Sequence, residues 1–279
     1  MTTIHPRQIW ICADDYGLSP GVNAAIRDLI VRGRINATSV MVVAPSFDRS
    51  EALSLDILNS GARRVAIGLH VTLTAPFTPL TRAFRPHRQG SFMPVGRTLA
   101  ASLMRRYRHQ HLAAEIASQL AVFVTAFGRL PDFIDGHQHV QVFPQVRDAV
   151  LTVVKQAAPR AWVRQCGRAG AAPGRGDRKA FLLDLLSREF RRRATASGVR
   201  TNAAFAGTYD LAAGADFAAL FPHFLHGLPD NGLIMCHPGF VDAELTRLDP
   251  VTTQREREHA FFSSEDFPRL LEARGLTLA

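Results

Sequence analysis

Apolar, β-branched runs alternate with amphipathic helical patterns from one end of the chain to the other. The run QIWICA (8–13) predicts a strand, and PGVNAAIRDLIVRG (20–33) a helix with Ser19 as N-cap and Pro20 at the first helical position. ATSVMVV (37–43) reads as a second strand, followed by a helix from about 46 to 59, and RVAIGLHVTL (64–73) as a third strand. A Pro/Arg-rich loop over 75–97 exceeds ordinary connector lengths, which marks it as functional. Beyond it the pattern predicts a helix at 109–127, a strand at 131–136 and a helix at 144–157. A short strand AWVRQC (161–166) and a Gly-rich insertion GRAGAAPGRGDR (167–178) come next. The remainder reads as a helix at 178–197, a weak strand at 201–205, a helix at 215–226 and a final strand GLIMCH (232–237), closed by one or two helices. Strict strand–helix alternation predicts parallel strands with helices outside, in a barrel or an open doubly wound sheet. The turn after the first strand, ADDYGLSPG, is acidic and would repel a pyrophosphate, so a dinucleotide-binding sheet is disfavoured.

The length of 279 residues suits an α/β barrel, which runs to about 250 residues as one unit, and no linker or internal repeat divides the chain. A single domain over 1–279 is expected. The first residues, MTTIHPRQ, lack a signal-peptide layout, and no apolar run approaches the ~20 residues needed to cross a bilayer. Together with three unpaired cysteines (Cys12, Cys166, Cys236), this predicts a cytoplasmic protein without a disulfide frame. The net charge of +9 gathers in MRRYRHQH (104–111), RAGAAPGRGDRK (168–179) and REFRRR (188–193). Such clusters attract nucleic acid, anionic lipid headgroups or acidic substrates, or form solvated helix faces. No aromatic residues interleave with the arginines as a base-stacking platform requires, so no nucleic-acid partner is expected.

The chemistry collects where the strands end. Asp14 and Asp15 close the first strand, His70 lies late in the third, Asp135, His137 and His139 end the fourth, and His237 ends the last. In a parallel α/β fold these ends lie on one face, where active sites are built. Adjacent strand residues point to opposite faces, so Asp14 and Asp15 reach one pocket only if the chain turns there, and Gly17 permits a tight turn. Two neighbouring carboxylates resist joint ionisation unless a cation sits between them or they take distinct tasks, such as metal ligand and general base. His137 and His139, two apart, would share a face in extended chain.

At these residues the chain resembles the YdjC-like family of carbohydrate deacetylases. The resemblance spans nearly the whole chain and rests on ADDYGLSPGVNAAI (13–26), IGLHVTLT (67–74), IDGHQHVQVFPQV (134–146) and MCHPG (235–239). It implies a distorted (β/α) TIM-like barrel that removes the N-acetyl group of an amino sugar with one divalent metal ion, Mg2+ or Zn2+. By motif, Asp15, His70 and His137 would be metal ligands, Asp14 the general base, and His237 the general acid or its partner. The family usually has Phe where Tyr16 stands and often a third histidine where Gln141 stands. The late REREH (255–259) resembles a family Arg/Glu pair. The expected partner is an N-acetylated sugar: a chitooligosaccharide, an envelope-polysaccharide precursor or a hopanoid-linked glycan contacted at a membrane. The loop at 75–97 and the insertion would frame it. A homodimer is left open. The competing readings are a different metal-dependent hydrolase, a non-haem iron oxygenase using the same two-His-one-carboxylate set, and a basic nucleic-acid-binding module.

Overall fold

Strand β1 (Arg7–Tyr16) runs through the middle of the sheet and is long because it serves three partners in turn. The computed structural model of the chain describes residues 6–59, 64–84, 90–169, 178–211 and 214–279, and, within the helix that opens at 178, side chains from 181 onward. Residues 170–177 of the Gly-rich insertion and residues 85–89 of the long loop lie outside the described residues.

After β1 come α1 (Pro20–Val31), β2 (Ala37–Val40), α2 (Arg49–Leu58), β3 (Ala66–Val71), α3 (Val95–Leu103) and α4 (His109–Phe127). The chain continues through β4 (Phe133–Gly136), a 3-10 turn at His137–Val142, α5 (Val146–Ala157), β5 (Trp162–Val163), α6 (Arg178–Ala196) and β6 (Phe205–Ala206). It closes with α7 (Phe217–Phe224), β7 (Gly232–Cys236), α8 (Ala243–Leu248), α9 (Thr253–Ser263), α10 (Asp266–Ala273) and β8 (Leu276–Leu278).

The strands pair in the order β5-β4-β3-β2-β1-β7-β6, every pair parallel. Single bridges, Val163 to Thr201 and Arg168 to Phe205, bring the chain beyond β5 alongside β6 and curl the sheet toward closure. β2, β3, β4 and β7 are buried at every position, as strands covered on both faces must be, which is why they read as continuous apolar runs. The helices between them start and stop on local signals. The Ser19 hydroxyl accepts the Val22 N–H with Pro20 following it, Asp48 caps α2, and Gly128 at φ 67° ends α4. The distorted α/β barrel is therefore the observed architecture.

Four expectations shift. GLIMCH is not the last strand: Leu276–Leu278 pairs with Arg7–Ile9 at the start of β1. Three residues are too few for a periodic signal; the strand is held by its pairing with β1, and just beyond it the buried Asn36 amide ties the chain end to β1 by donating to the carbonyls of Ile9 (3.0 Å) and Ala279 (3.1 Å). The weak strand at 201–205 becomes β6 at Phe205–Ala206, with Thr201 contributing one isolated bridge. The long loop at 75–97 gives way to helix at Val95, and α8, α9 and α10, three helices rather than one or two, follow β7.

Candidate metal centre and active site

The site is built around an irregularity at the end of β1. Its pairing register with β2 breaks between Ala13 and Tyr16, and Asp15 takes a left-handed backbone (φ 70°). That conformation costs a non-glycine residue about 1–2 kcal/mol, and it breaks the alternation that would otherwise send the two carboxylates to opposite faces. The turn that lets both acids face the pocket is thus at Asp15 itself. Gly17 (φ 100°) serves packing as well, since a Cβ there would stand 2.8 Å from the Phe47 side chain. Tyr16 is buried, and its hydroxyl bonds the Glu51 carboxylate and accepts from Arg27 Nη1 (3.0 Å), which gives the phenol partners that a Phe would not need.

Asp15, His70 and His137 converge. Asp15 Oδ1 lies 2.9 Å from His137 Nδ1 and 3.3 Å from His70 Nε2, and all three side chains are buried. One donor atom from each falls within 4.8 Å of the others. Ligand atoms around a divalent ion with bonds of about 2.1 Å stand roughly 3.0–3.4 Å apart, so these separations match edges of a coordination polyhedron. His70 is aimed from behind: its Nδ1 meets Asp135 Oδ1 at 2.6 Å and Ser39 Oγ at 3.0 Å, leaving Nε2 toward Asp15. A carboxylate behind an imidazole is the usual outer support of a metal ligand. The other Asp15 oxygen is held by Arg255 Nη2 at 2.7 Å, so Oδ1 is the oxygen turned to the imidazoles. The donor set therefore fits a divalent ion.

The charges are strongly interdependent. Burial alone would lower the His70 pKa, but the carboxylates of Asp135 and Asp15 overcome it and push it up to about 10. Burial works against ionised Asp15 as well, yet His137 and Arg255 hold its carboxyl well below the usual range.

Asp14 occupies a second, adjoining cluster with Cys12 and Asp135, which Arg164 fills with its guanidinium. Arg164 is fully buried. Its Nη1 and Nη2 each reach an Asp14 oxygen at 2.6 Å, and Nη2 lies 2.6 Å from Asp135 Oδ2. With a cation already between these carboxylates, that cluster is not a metal site. Against the effect of burial, Arg164 pulls the Asp14 pKa down to about 2.

His237, the residue after β7, faces the same pocket of about 340 Å³ as Asp14, Asp15, His70 and His137. Its backbone N–H donates to Glu258, whose other oxygen accepts the Tyr209 hydroxyl. Arg255 and Glu258 lie three apart on the buried side of α9, so one helix braces both the Asp15 carboxylate and the His237 backbone.

All five residues singled out from the sequence therefore come together, while the shared face expected for His137 and His139 does not form. The strand ends at Gly136, and Gln138 and His139 take left-handed backbone in the 3-10 turn. His139 stands edge-on to Phe205 at 5.6 Å, on another part of the pocket wall. Gln141 donates to the Arg164 carbonyl (3.2 Å) and the Cys166 sulfur (3.3 Å), bracing the chain beyond β5. The sequence did not mark Arg164 or Ser39 as site residues, and it marked Arg255 and Glu258 only through the REREH resemblance. An arginine inside the apolar run AWVRQC was the available signal for Arg164, and the REREH resemblance pointed toward the α9 pair. Of the loop at 75–97, Ala75, Pro76, Phe77 and Val95 line the pocket. Arg168 of the insertion is paired with Asp184 at 2.7 Å.

Fold and site define a parallel α/β barrel protein whose C-terminal strand ends carry a buried two-histidine, one-carboxylate cluster. The chain belongs to the YdjC-like protein family, whose model matches residues 8–273. It is 29% identical over 277 residues to a chitooligosaccharide deacetylase of Escherichia fergusonii, covering 98% of this chain and 92% of that protein. Among solved structures it resembles a suggested cellobiose-phosphate cleavage protein of Enterococcus faecalis V583, with TM-score 0.75 and 22% identity over 98% of this chain and 97% of that one. A peptidoglycan N-acetylglucosamine deacetylase, Bc1960, aligns at TM-score 0.51 and 9% identity over 98% of this chain and 85% of that one. Both structures share the fold.

Proposed function

We propose that this chain, as one domain over 1–279, is a metal-dependent carbohydrate deacetylase that hydrolyses the N-acetyl group of an amino sugar. The observation that carries the reading is the meeting of Asp15, His70 and His137 donor atoms beside an arginine-held Asp14 and His237 in one pocket. The family, and the chitooligosaccharide deacetylase activity of the relative, support the same substrate class.

Amide hydrolysis needs an activated water, stabilisation of the tetrahedral oxyanion, and a proton for the departing amine. Asp15, His70 and His137 would hold a divalent ion, which supplies a more acidic water and a polarised acetyl carbonyl when bound. Asp14 is the base: Arg164 keeps it ionised at neutral pH and fixes its direction through both oxygens. A carboxylate of such low pKa is a weak base, which suits a water already made acidic. His237 gives the proton to the sugar nitrogen, with Glu258 fixing the backbone from which the imidazole projects. Arg255 restrains Asp15 so that one oxygen serves as ligand.

The test is acetate release by protein supplied with Zn2+ or Mg2+, measured on N-acetylated chitooligosaccharides, envelope-polysaccharide precursors and lipid-linked N-acetylglucosamine. Release from any of the three, lost with a chelator, is expected. No release from metal-supplied protein across all three groups refutes the reading.

A further inference from the structure

Helix α6 carries large apolar side chains on two faces. Leu183, Leu186 and Phe190 are buried toward the barrel, as an amphipathic helix requires. On the outer face Phe181 is 59%, Leu182 38% and Leu185 54% exposed, where a helix bathed only in water would carry polar residues. The same face continues into exposed Arg188, Arg191 and Arg192. Arg192 pairs with Glu189, and Arg188 and Arg191 make no ion pair among the described residues.

A second segment repeats this composition. At the end of α3, Leu103 and Met104 are each 54% exposed and are followed by exposed Arg105, Arg106 and Arg108. This segment is pinned to the body by Gln145, whose side chain bonds the Tyr107 backbone at 3.1 and 2.7 Å. Both α3 and α6 pack against the 3-10 turn that begins at His137, and α3 starts at Val95 on the pocket rim. Two basic, apolar surfaces thus flank the turn that supplies a wall of the pocket.

We infer that these two surfaces dock the protein onto an anionic lipid bilayer, with Phe181, Leu182, Leu185, Leu103 and Met104 entering the headgroup boundary and the adjoining arginines meeting lipid phosphates. Apolar side chains beside a run of arginines are the composition of interfacial helices, whose binding combines buried apolar area with attraction to anionic lipid. A second copy fits poorly, because pairing the same surface with itself would set arginine clusters against each other. Nucleic acid accounts for the arginines but leaves the exposed leucines, Met104 and Phe181 without a role. No helix among the described residues is long and apolar enough to cross a membrane, so the contact is peripheral. The inference rests on this surface and not on the deacetylase reading.

Full-length protein is sedimented with phosphatidylcholine vesicles, with and without phosphatidylglycerol, at low and high salt. Binding to the anionic vesicles at low salt, weakened by salt and absent on neutral vesicles, is expected. Phe181→Ser with Leu185→Ser, and separately Arg188→Gln with Arg191→Gln, should each weaken binding roughly tenfold or more. Leu53→Ser, an exposed apolar site on α2, should leave it unchanged. These side chains are exposed, and matching circular dichroism keeps the variants comparable with the parent. Failure to bind anionic vesicles, equal binding to neutral ones, or full binding by both double variants overturns the inference. So does a concentration-dependent dimer, or DNA binding, that the same variants abolish in a protein that ignores lipid.

Discussion

Replacing Arg164 with Gln removes the guanidinium that bridges two buried carboxylates, Asp14 and Asp135. Breaking a buried ion pair on one side costs about 3–5 kcal/mol, because the partner charge stays in the interior without compensation. For a chain of this size that is on the order of 10 °C in Tm. The pH dependence separates this cause from simple loss of packing. In the parent, Asp14 is depressed from 3.8 to about 2 against the effect of burial. That difference contributes about 2 kcal/mol, fully present above about pH 4 and lost as pH falls through the folded value. Without Arg164, burial dominates and raises the Asp14 pKa above its unfolded value. The variant is then penalised most near neutrality, and the penalty eases as the carboxyl protonates. Urea midpoints at pH 7 and pH 5 should therefore show the gap between variant and parent narrowing on acidification. Adding Asp14→Asn to Arg164→Gln should recover part of the loss, by double-mutant cycle. A loss under about 1 kcal/mol, or a gap that does not change with pH, would refute the assignment of Arg164 as the charge that holds these acids.

Asp14→Asn should retain divalent-metal binding by calorimetry while losing about 10²–10⁴-fold in acetate release, the usual contribution of a positioned base; His70→Ala should lose both. Glu258→Gln leaves one amide oxygen facing two donors, the His237 N–H and the Tyr209 hydroxyl. A stability loss of about 1–3 kcal/mol in urea is expected, with reduced turnover. Gly207 has φ 98°, and a Cβ there would come within 2.2 Å of the Met235 carbonyl oxygen. Gly207→Ala should destabilise by about 1–3 kcal/mol or more in thermal unfolding, because backbone must move at the pocket wall.

The barrel was legible because a parallel sheet covered on both faces turns each strand into an unbroken apolar run. The cluster was legible because polar residues that interrupt such runs at their C-terminal ends share one face of the fold. Asp15, His70, His137 and His237 carried that signal by position alone. What failed is local geometry. The extended-chain argument for His137 and His139 required the strand to continue past Gly136, yet the chain turns into left-handed backbone at Gln138 and His139. β8 escaped notice because its three residues are placed by pairing with Arg7–Ile9, more than 200 positions away in the sequence.

Arg164 and Arg255 show where a sequence reading of charge goes astray. The chain's +9 drew attention to exposed clusters, whereas the two arginines that shape the site are fully or almost fully buried and each faces two carboxylates. Arg164 serves Asp14 and Asp135; Arg255 serves Asp15 and Asp249. This division resolves the problem posed by adjacent acids at Asp14 and Asp15. Two neighbouring carboxylates can stay ionised in the interior only if each finds its own cation, and the left-handed turn at Asp15 aims them at different guanidinium groups. Asp14 then has both oxygens engaged by Arg164, while Asp15 keeps one oxygen for the imidazoles. The chemical difference between the neighbours follows from which arginine each one meets.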